Sequence, residues 1–312
     1  MSDSEGYRNP ADGIIYYYTG DQEPQCEIGK CPIEYSVYGY RPSLAFSGTI
    51  IALYALVMVA QTFLGIRYRK WGFMVAMQLG CLCEILGYVG RILYYQNPWA
   101  QGGFIMQIVL ITIAPVFFSA AIYVLIYQIA KYVSAESSRV NPKLFYYIFI
   151  TADIISLILQ AVGGAMSSTS EGDSTSGVNI ALAGLAFQVA TLVFFAVAVV
   201  DYMFCSRKVW STVKLPTRFI SFCAFLALAW TVITIRCCYR VYELSEGYSR
   251  DSEALRDQPL FNGLEGVMII LAAVFLIGGH PGFVFRQGET LTQQESFKGK
   301  SEREASAGSE TV

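Results

Sequence analysis

The sequence predicts an all-α membrane protein: a bundle of seven transmembrane helices with its N-terminus outside and its C-terminus cytoplasmic. Three observations predict it. Seven apolar stretches are long enough to span hydrocarbon, basic residues favour alternate loops, and polar side chains recur in stripes at helical spacing. Of the 312 residues, 54% are hydrophobic and 15% charged, with a mean hydropathy of +0.44. That is more apolar surface than an ordinary soluble domain can bury.

Crossing ~30 Å of hydrocarbon takes roughly 20 residues at about 1.5 Å each. The first such stretch runs from Ser43 to Ile66 and is followed by Arg67, Arg69 and Lys70. The second, Gly72 to Tyr95, leads into a base-free loop from Gln96 to Gln101. The third, Gly103 to Ala130, is followed by Lys131, Arg139 and Lys143, and the fourth, Leu144 to Met166, by a base-free segment from Ser167 to Gly177. The fifth, Val178 to Cys205, precedes Arg207, Lys208, Lys214 and Arg218; the sixth, Phe219 to Tyr242, precedes only Arg250 and Arg256; the seventh is Gly263 to Phe285. Because basic loops stay cytoplasmic, this alternation sets the orientation.

Residues 1–40 read as a polar external segment with a tyrosine cluster at Tyr16, Tyr17 and Tyr18, residues 41–286 as the transmembrane domain, and residues 287–312 as a disordered cytoplasmic tail. The first forty residues show no basic n-region followed by a long apolar core, so no cleavable signal peptide is expected. Cys81, Cys83, Cys223, Cys237 and Cys238 fall within spans as small packing residues, and Cys205 sits at a span end open to acylation. Cys26 and Cys31 lie in the external segment, where they either remain thiols or close a small disulfide loop. No metal-ligand spacing, phosphate-binding glycine loop, nucleophile constellation or basic aromatic patch occurs. The sequence thus points to no enzyme, cofactor, metal or nucleic acid.

Steps of three, four and seven return to one face of a helix. Gly80, Glu84, Gly87 and Arg91 form one stripe, Asp153, Ser156, Gln160 and Gly163 a second, and Gly177, Gly184 and Gln188 a third. Arg236, Arg240, Glu243 and Gly247 form a fourth, and Glu265 and His280 lie along the seventh span. Ionisable groups inside a membrane face the bundle interior and pair with one another or with a ligand. Under the expected orientation the charges gather in the outer half: Arg91, Arg236 and Arg240 against Glu84, Asp153, Glu243 and Glu265. Such near-balance suits a closed ion-pair network or a cavity for an amphiphile. Taken singly, Gln107, Gln160, Gln188 and Ser156 read as polar glue between helices. So many ionisable groups at one level exceed what helix packing requires. Pro115 predicts a kink in the third span, Tyr123 lines the interior or packs, and His280 reads as a hydrogen-bonded helix end.

The stretches Glu84–Arg91 (EILGYVGR), Pro115–Tyr123 (PVFFSAAIY), Asp153–Gly164 (DIISLILQAVGG), Gly184–Gln188 (GLAFQ), Arg236–Gly247 (RCCYRVYELSEG) and His280–Gly282 (HPG) resemble the fungal RTA1-like, lipid-translocating exporter family. The resemblance covers the chain from about Tyr40 to Phe285, in family order. It implies a multi-pass plasma-membrane protein that translocates sphingoid bases or similar amphiphiles and confers resistance to toxic ones, with membrane lipids or amphiphilic small molecules as partners. Glu84, Arg91, Asp153, Gln160, Gln188, Arg236, Arg240, Glu243 and His280 fall on family motif positions. Tyr88, Pro115, Tyr123, Gly163, Gly164 and Tyr239 lie within the matching stretches. The seventh span departs from the pattern: where the family commonly has an acidic residue and then a Tyr and an Asp ahead of His-Pro-Gly, this chain has Gln258 near the earlier acid and Glu265 in place of the Asp. Glu265 joins the candidate substrate residues by its depth.

Two other functions fit the same topology. One is a seven-span receptor or stress sensor, although Gln128–Tyr132 (QIAKY) is unlike an Asp-Arg-Tyr element and the seventh span lacks an Asn-Pro element and a Schiff-base lysine. The other is a regulator that changes lipid asymmetry through other proteins.

Overall fold

A computed structural model describes residues 6–10, 13–17, 25–36, 38–133, 142–169, 175–205, 217–246 and 257–284. Tyr18, Gly247, the loop bases Arg139, Arg207, Lys208, Lys214, Arg250 and Arg256, and the tail at 287–312 lie outside the described residues.

Seven helices are long and apolar enough to cross a membrane. Helix α1 is Leu44–Tyr68, α2 Trp71–Gln96, α3 Gln101–Val133, α4 Pro142–Thr169, α5 Thr175–Cys205 and α6 Thr217–Ser245. The seventh, α7, comprises an α-helical turn Gln258–Phe261, a π-helical stretch Asn262–Val267 and a regular helix Met268–Gly278. It therefore begins ahead of the Gly263 expected from hydropathy, because the Asp257 side chain caps the backbone N–H of Leu260 at 3.2 Å.

Neighbouring helices pack around the bundle, and α7 closes it between α1 and α6. Helix α3 is the most buried of the seven spans and also touches α6 and α7. Large apolar side chains on the outer faces, such as Leu56, Val59 and Phe63 on α1 and Phe194, Val197 and Phe204 on α5, stay exposed. That belt matches hydrocarbon rather than water. The chain is a multi-pass membrane protein.

Two glycine seams set the closest helix approaches. A Cβ on Gly90 would lie 2.9 Å from the Gln107 nitrogen and 3.1 Å from the Gly103 oxygen, so α2 and α3 touch backbone to backbone. Likewise a Cβ on Gly184 would meet the Ser156 oxygen at 2.9 Å, joining α4 to α5. Small residues at such contacts replace the hydrophobic driving force that lipid cannot supply.

Helix α1 starts at Ser43, whose hydroxyl accepts from Phe46 N at 3.3 Å, and ends at Arg69 in the left-handed conformation, φ 52°. The N-terminal segment forms a cap on the face where α1 begins. Strands β1 (Gly6–Arg8) and β2 (Ile15–Tyr17) pair antiparallel, Cys26 and Cys31 form a disulfide, and Tyr16, Tyr7 and Trp99 pack with that disulfide. Trp99 lies between α2 and α3, so the cap rests on their connection.

Candidate functional site

Among the described residues, every stripe faces inward. Glu84, Arg91, Asp153, Gln188, Arg236, Arg240, Glu243, Glu265 and His280 are buried, as are Gly80, Gly87, Gly163, Gly177 and Gly184. Gln160 and Gly164 are half-buried. The structure divides these residues among four places.

At the centre, Arg236 of α6 donates to Oε1 of Glu265 and, at 2.9 Å, to the backbone oxygen of Ile111 on α3. That carbonyl is available because Pro115, four residues on, has no N–H to donate back to it. Glu265 reaches the arginine from the π-helical stretch, a distortion frequent at functional positions. One turn on, Arg240 donates to Glu243 Oε2 at 2.5 Å and to Thr112 Oγ1 at 3.0 Å, and its Nε lies 3.8 Å from Glu265 Oε1. Glu84 faces this chain from α2, with Arg236 and Glu265 the charges that act on it most strongly. Its Oε1 has no hydrogen-bond partner among the described residues.

Arg91 stands apart from the ion pairs. Its guanidinium stacks over Phe261 at 4.0 Å and lies 5.8 Å from the Tyr38 ring centre, and it donates to the Tyr40 hydroxyl at 3.2 Å. Tyr38 is itself sunk into the bundle: its hydroxyl accepts from Gln107 Nε2 at 2.9 Å, and its ring meets Tyr94 and Phe104 edge-on. Burial raises the Tyr40 hydroxyl above its ordinary pKa although Arg91 pulls it down, so it remains a neutral phenol. The sequence reading missed this aromatic plug. Its only trace there is a tyrosine-rich run just before α1 at the level of Arg91.

Asp153 also leaves the charge cluster. It accepts from Ser119 Oγ at 3.0 Å and faces the Tyr123 hydroxyl, while the Tyr123 ring packs against Phe195 at 4.6 Å. One seam further, Gln160 Nε2 donates to Gln188 Oε1 at 3.0 Å. Depth alone had put Asp153 with the arginines. Its helix face turns it toward α3 instead, because depth fixes height but not direction.

His280 ends α7: its Nδ1 accepts from Gly282 N at 3.0 Å, and its ring sits between Tyr68 and Phe73. Tyr88 lies against Gly266 and Phe46, and Tyr239 is buried beside the Arg240–Glu243 pair. Among the described residues no group of His, Cys, Asp and Glu could hold a metal ion.

A cavity of about 80 Å³ opens between α3, α4, α5 and α6. Ile108, Leu157, Val178, Leu185 and Leu244 give it apolar walls, and Thr112, Gln160, Arg240 and Glu243 bring its polar groups. Gly163 and Gly164 also line it, Gly163 pressed against the α5 backbone at Gly177 and Ala181 and Gly164 open. Cavities of about 150 Å³ hold benzene. At about half that volume, this one admits a group of only a few heavy atoms.

The family described as RTA1 like protein matches residues 77–288. The sphingoid long-chain base transporter RSB1 of Saccharomyces cerevisiae is 30% identical, over 82% of this chain and 76% of the relative. Protein RTM1 of Saccharomyces cerevisiae is 29% identical over 75% of this chain and 77% of its own length, and Protein RTA1 of the same species 28% over 85% and 91%. No solved structure matches the chain significantly.

Proposed function

The chain belongs to the RTA1-like family, and from that membership we propose that it exports long-chain amphiphiles with a cationic amine head group, sphingoid bases among them, across the plasma membrane. Cells carrying it gain resistance to such compounds. The observation that carries this reading is the amphipathic cavity, in which the Glu243 carboxylate is one of a few polar groups lining a mostly apolar slot. An ammonium group there replaces Arg240 as the partner of Glu243, while Gln160 and Thr112 accept its remaining N–H bonds. The tail follows the apolar walls outward, consistent with a relative named for sphingoid long-chain base transport.

In this reading the cap faces outside. Arg67, Arg69 and Lys70 lie at the opposite end of the bundle, where cytoplasmic charge is expected. The Cys26–Cys31 disulfide in the cap suits an oxidising exterior. Purified protein in liposomes should move a fluorescent sphingoid base between leaflets, and Glu243→Gln should slow that movement at least tenfold. Unchanged movement by the variant would place the head group elsewhere.

A sensor is the second reading. What favours it is the plug, since Tyr38 and Tyr40 occupy the mouth of the bundle as a tethered ligand would. Binding of the fluorescent base without any movement would support this alternative.

A further inference from the structure

Uphill transport of a cation needs a coupled charge. Among the buried carboxylates of the described residues outside the cavity, Glu84 is the one that joins the ion-pair chain without a partner of its own, since Glu265 pairs with Arg236 and Asp153 accepts from Ser119. Glu84 is 1% exposed, and its Oε1 has no hydrogen-bond partner among the described residues. Two hydroxyls in its surroundings, Tyr54 from α1 and Tyr88 from α2, are each 0% exposed and equally unpartnered. The electrostatic neighbours of Glu84 can be named element by element. Helix α1 presents Tyr54, α2 itself presents Cys81, Cys83 and Tyr88, α6 presents Arg236 and α7 presents Glu265. Helix α3 contributes Phe118 and Ile111 against Gly80 and Gly87. Arg91 is two turns along α2, about 10 Å by helical rise, and is committed to Phe261 and Tyr40.

Arg236 is the cation nearest Glu84, but it already donates to Glu265 and to the Ile111 carbonyl. Glu265 in turn lies 3.8 Å from Arg240, the partner of Glu243 at the cavity. Alternating charges thus run from Glu84 through Arg236, Glu265 and Arg240 to Glu243. A buried carboxylate without its own counter-charge is neutralised by a proton. A bound metal cation would need several oxygen ligands beside an arginine, whereas a proton needs only the carboxylate.

We infer that Glu84 carries the coupling proton, releasing it as the substrate ammonium binds at Glu243 and regaining it when the substrate leaves. This inference rests on the transport reading above. With Glu84 protonated, Arg236 balances Glu265 and Arg240 balances Glu243. The arriving ammonium adds one positive charge. The Glu84 O–H bond then breaks, its electron pair stays on the carboxylate, and the proton passes to water. Arg236 now serves Glu84 and Glu265 together, Arg240 moves toward Glu265, and the ammonium takes its place on Glu243. The net charge of the chain plus its ligand is the same before and after, so one proton exchanges for one amine.

The test uses the full chain in liposomes with N,N,N-trimethylsphinganine, whose positive charge cannot be shed and which therefore does not follow a pH gradient unaided. For one-to-one exchange, a gradient of one pH unit should accumulate the probe about tenfold on the acidic side. Glu84→Gln should still exchange labelled for unlabelled probe but accumulate none. Wild-type exchange that ignores the gradient would overturn the coupling and leave the transport reading standing. No movement of either this probe or the fluorescent sphingoid base by the wild type would defeat both. Accumulation by Glu84→Gln equal to wild type would remove Glu84 from the role. Should that variant fold poorly, Glu84→Asp in detergent provides a second readout, the proton released per probe bound. A changed pH profile of release relative to wild type supports the assignment, and an identical profile overturns it.

Discussion

Pro115 and Arg236 are joined through a single carbonyl oxygen. The proline ring removes the N–H that would otherwise hold the Ile111 carbonyl within α3, and Arg236 of α6 takes that oxygen at 2.9 Å. A helix defect on one element thereby becomes the docking point for a charge on another, with the buried acceptor satisfied.

Replacing Pro115 by Ala restores a competing N–H. A hydrogen bond to a charged donor contributes roughly 1.5–3 kcal/mol, so Arg236 loses part of what fixes its position while α3 gains a helical bond. We expect the thermal unfolding temperature in detergent to change little and liposome transport to fall about tenfold. Wild-type transport by this variant would show that the carbonyl does not position Arg236.

The Arg236–Glu265 pair is fully buried on both sides. Removing one member of such a pair costs about 3–5 kcal/mol, whereas replacing both with apolar groups is often close to neutral. Glu265→Leu should therefore unfold at a clearly lower temperature than wild type, and Arg236→Met with Glu265→Leu should recover most of the loss without recovering transport. Additive losses in the double variant would contradict the pairing.

Gly90→Val tests the seam between α2 and α3. With backbone atoms closer than 3.2 Å to a new Cβ, the helices must separate, and overpacking of this kind costs about 1–3 kcal/mol. Lower yield and a lower unfolding temperature are expected. Gly48→Val, where nothing lies within 4 Å of the new Cβ, is the matched control and should behave as wild type.

Tyr38→Ala should release the cap. It removes the ring held by Tyr94 and Phe104 and the hydroxyl held by Gln107, so limited proteolysis ahead of α1 should accelerate at least tenfold while the bundle itself stays folded. Tyr40→Phe keeps its ring and loses only the bond from Arg91. Since burial keeps the Tyr40 phenol neutral, cleavage of wild type should show no step attributable to it through neutral pH.

The spans and their inward stripes were legible because a helix repeats on itself: Glu84 and Arg91, or Arg236, Arg240 and Glu243, share a face by arithmetic alone. Which stripe meets which was not legible. Arg236 finds Ile111 on α3 and Glu265 on α7 through contacts distant in sequence, and Asp153 turns to Ser119 although its height matches the arginines. The π-helical stretch was hidden for a related reason. It rotates Glu265 relative to a regular helix, and no residue type in Asn262–Val267 announces that wider turn. The plug at Tyr38 belonged to a polar segment whose hydropathy resembles any exposed loop.

The glycine seam between α4 and α5 gives the bundle unequal stiffness. Those two helices touch along their backbones, whereas the cavity interrupts their approach to α3 and α6. Mechanically, α4 and α5 form one lever, with the cavity lying in the joint between that lever and the rest of the bundle. On the transport reading proposed above, a head group bound there acts directly on the joint. Such a ligand would load the two helices as one unit.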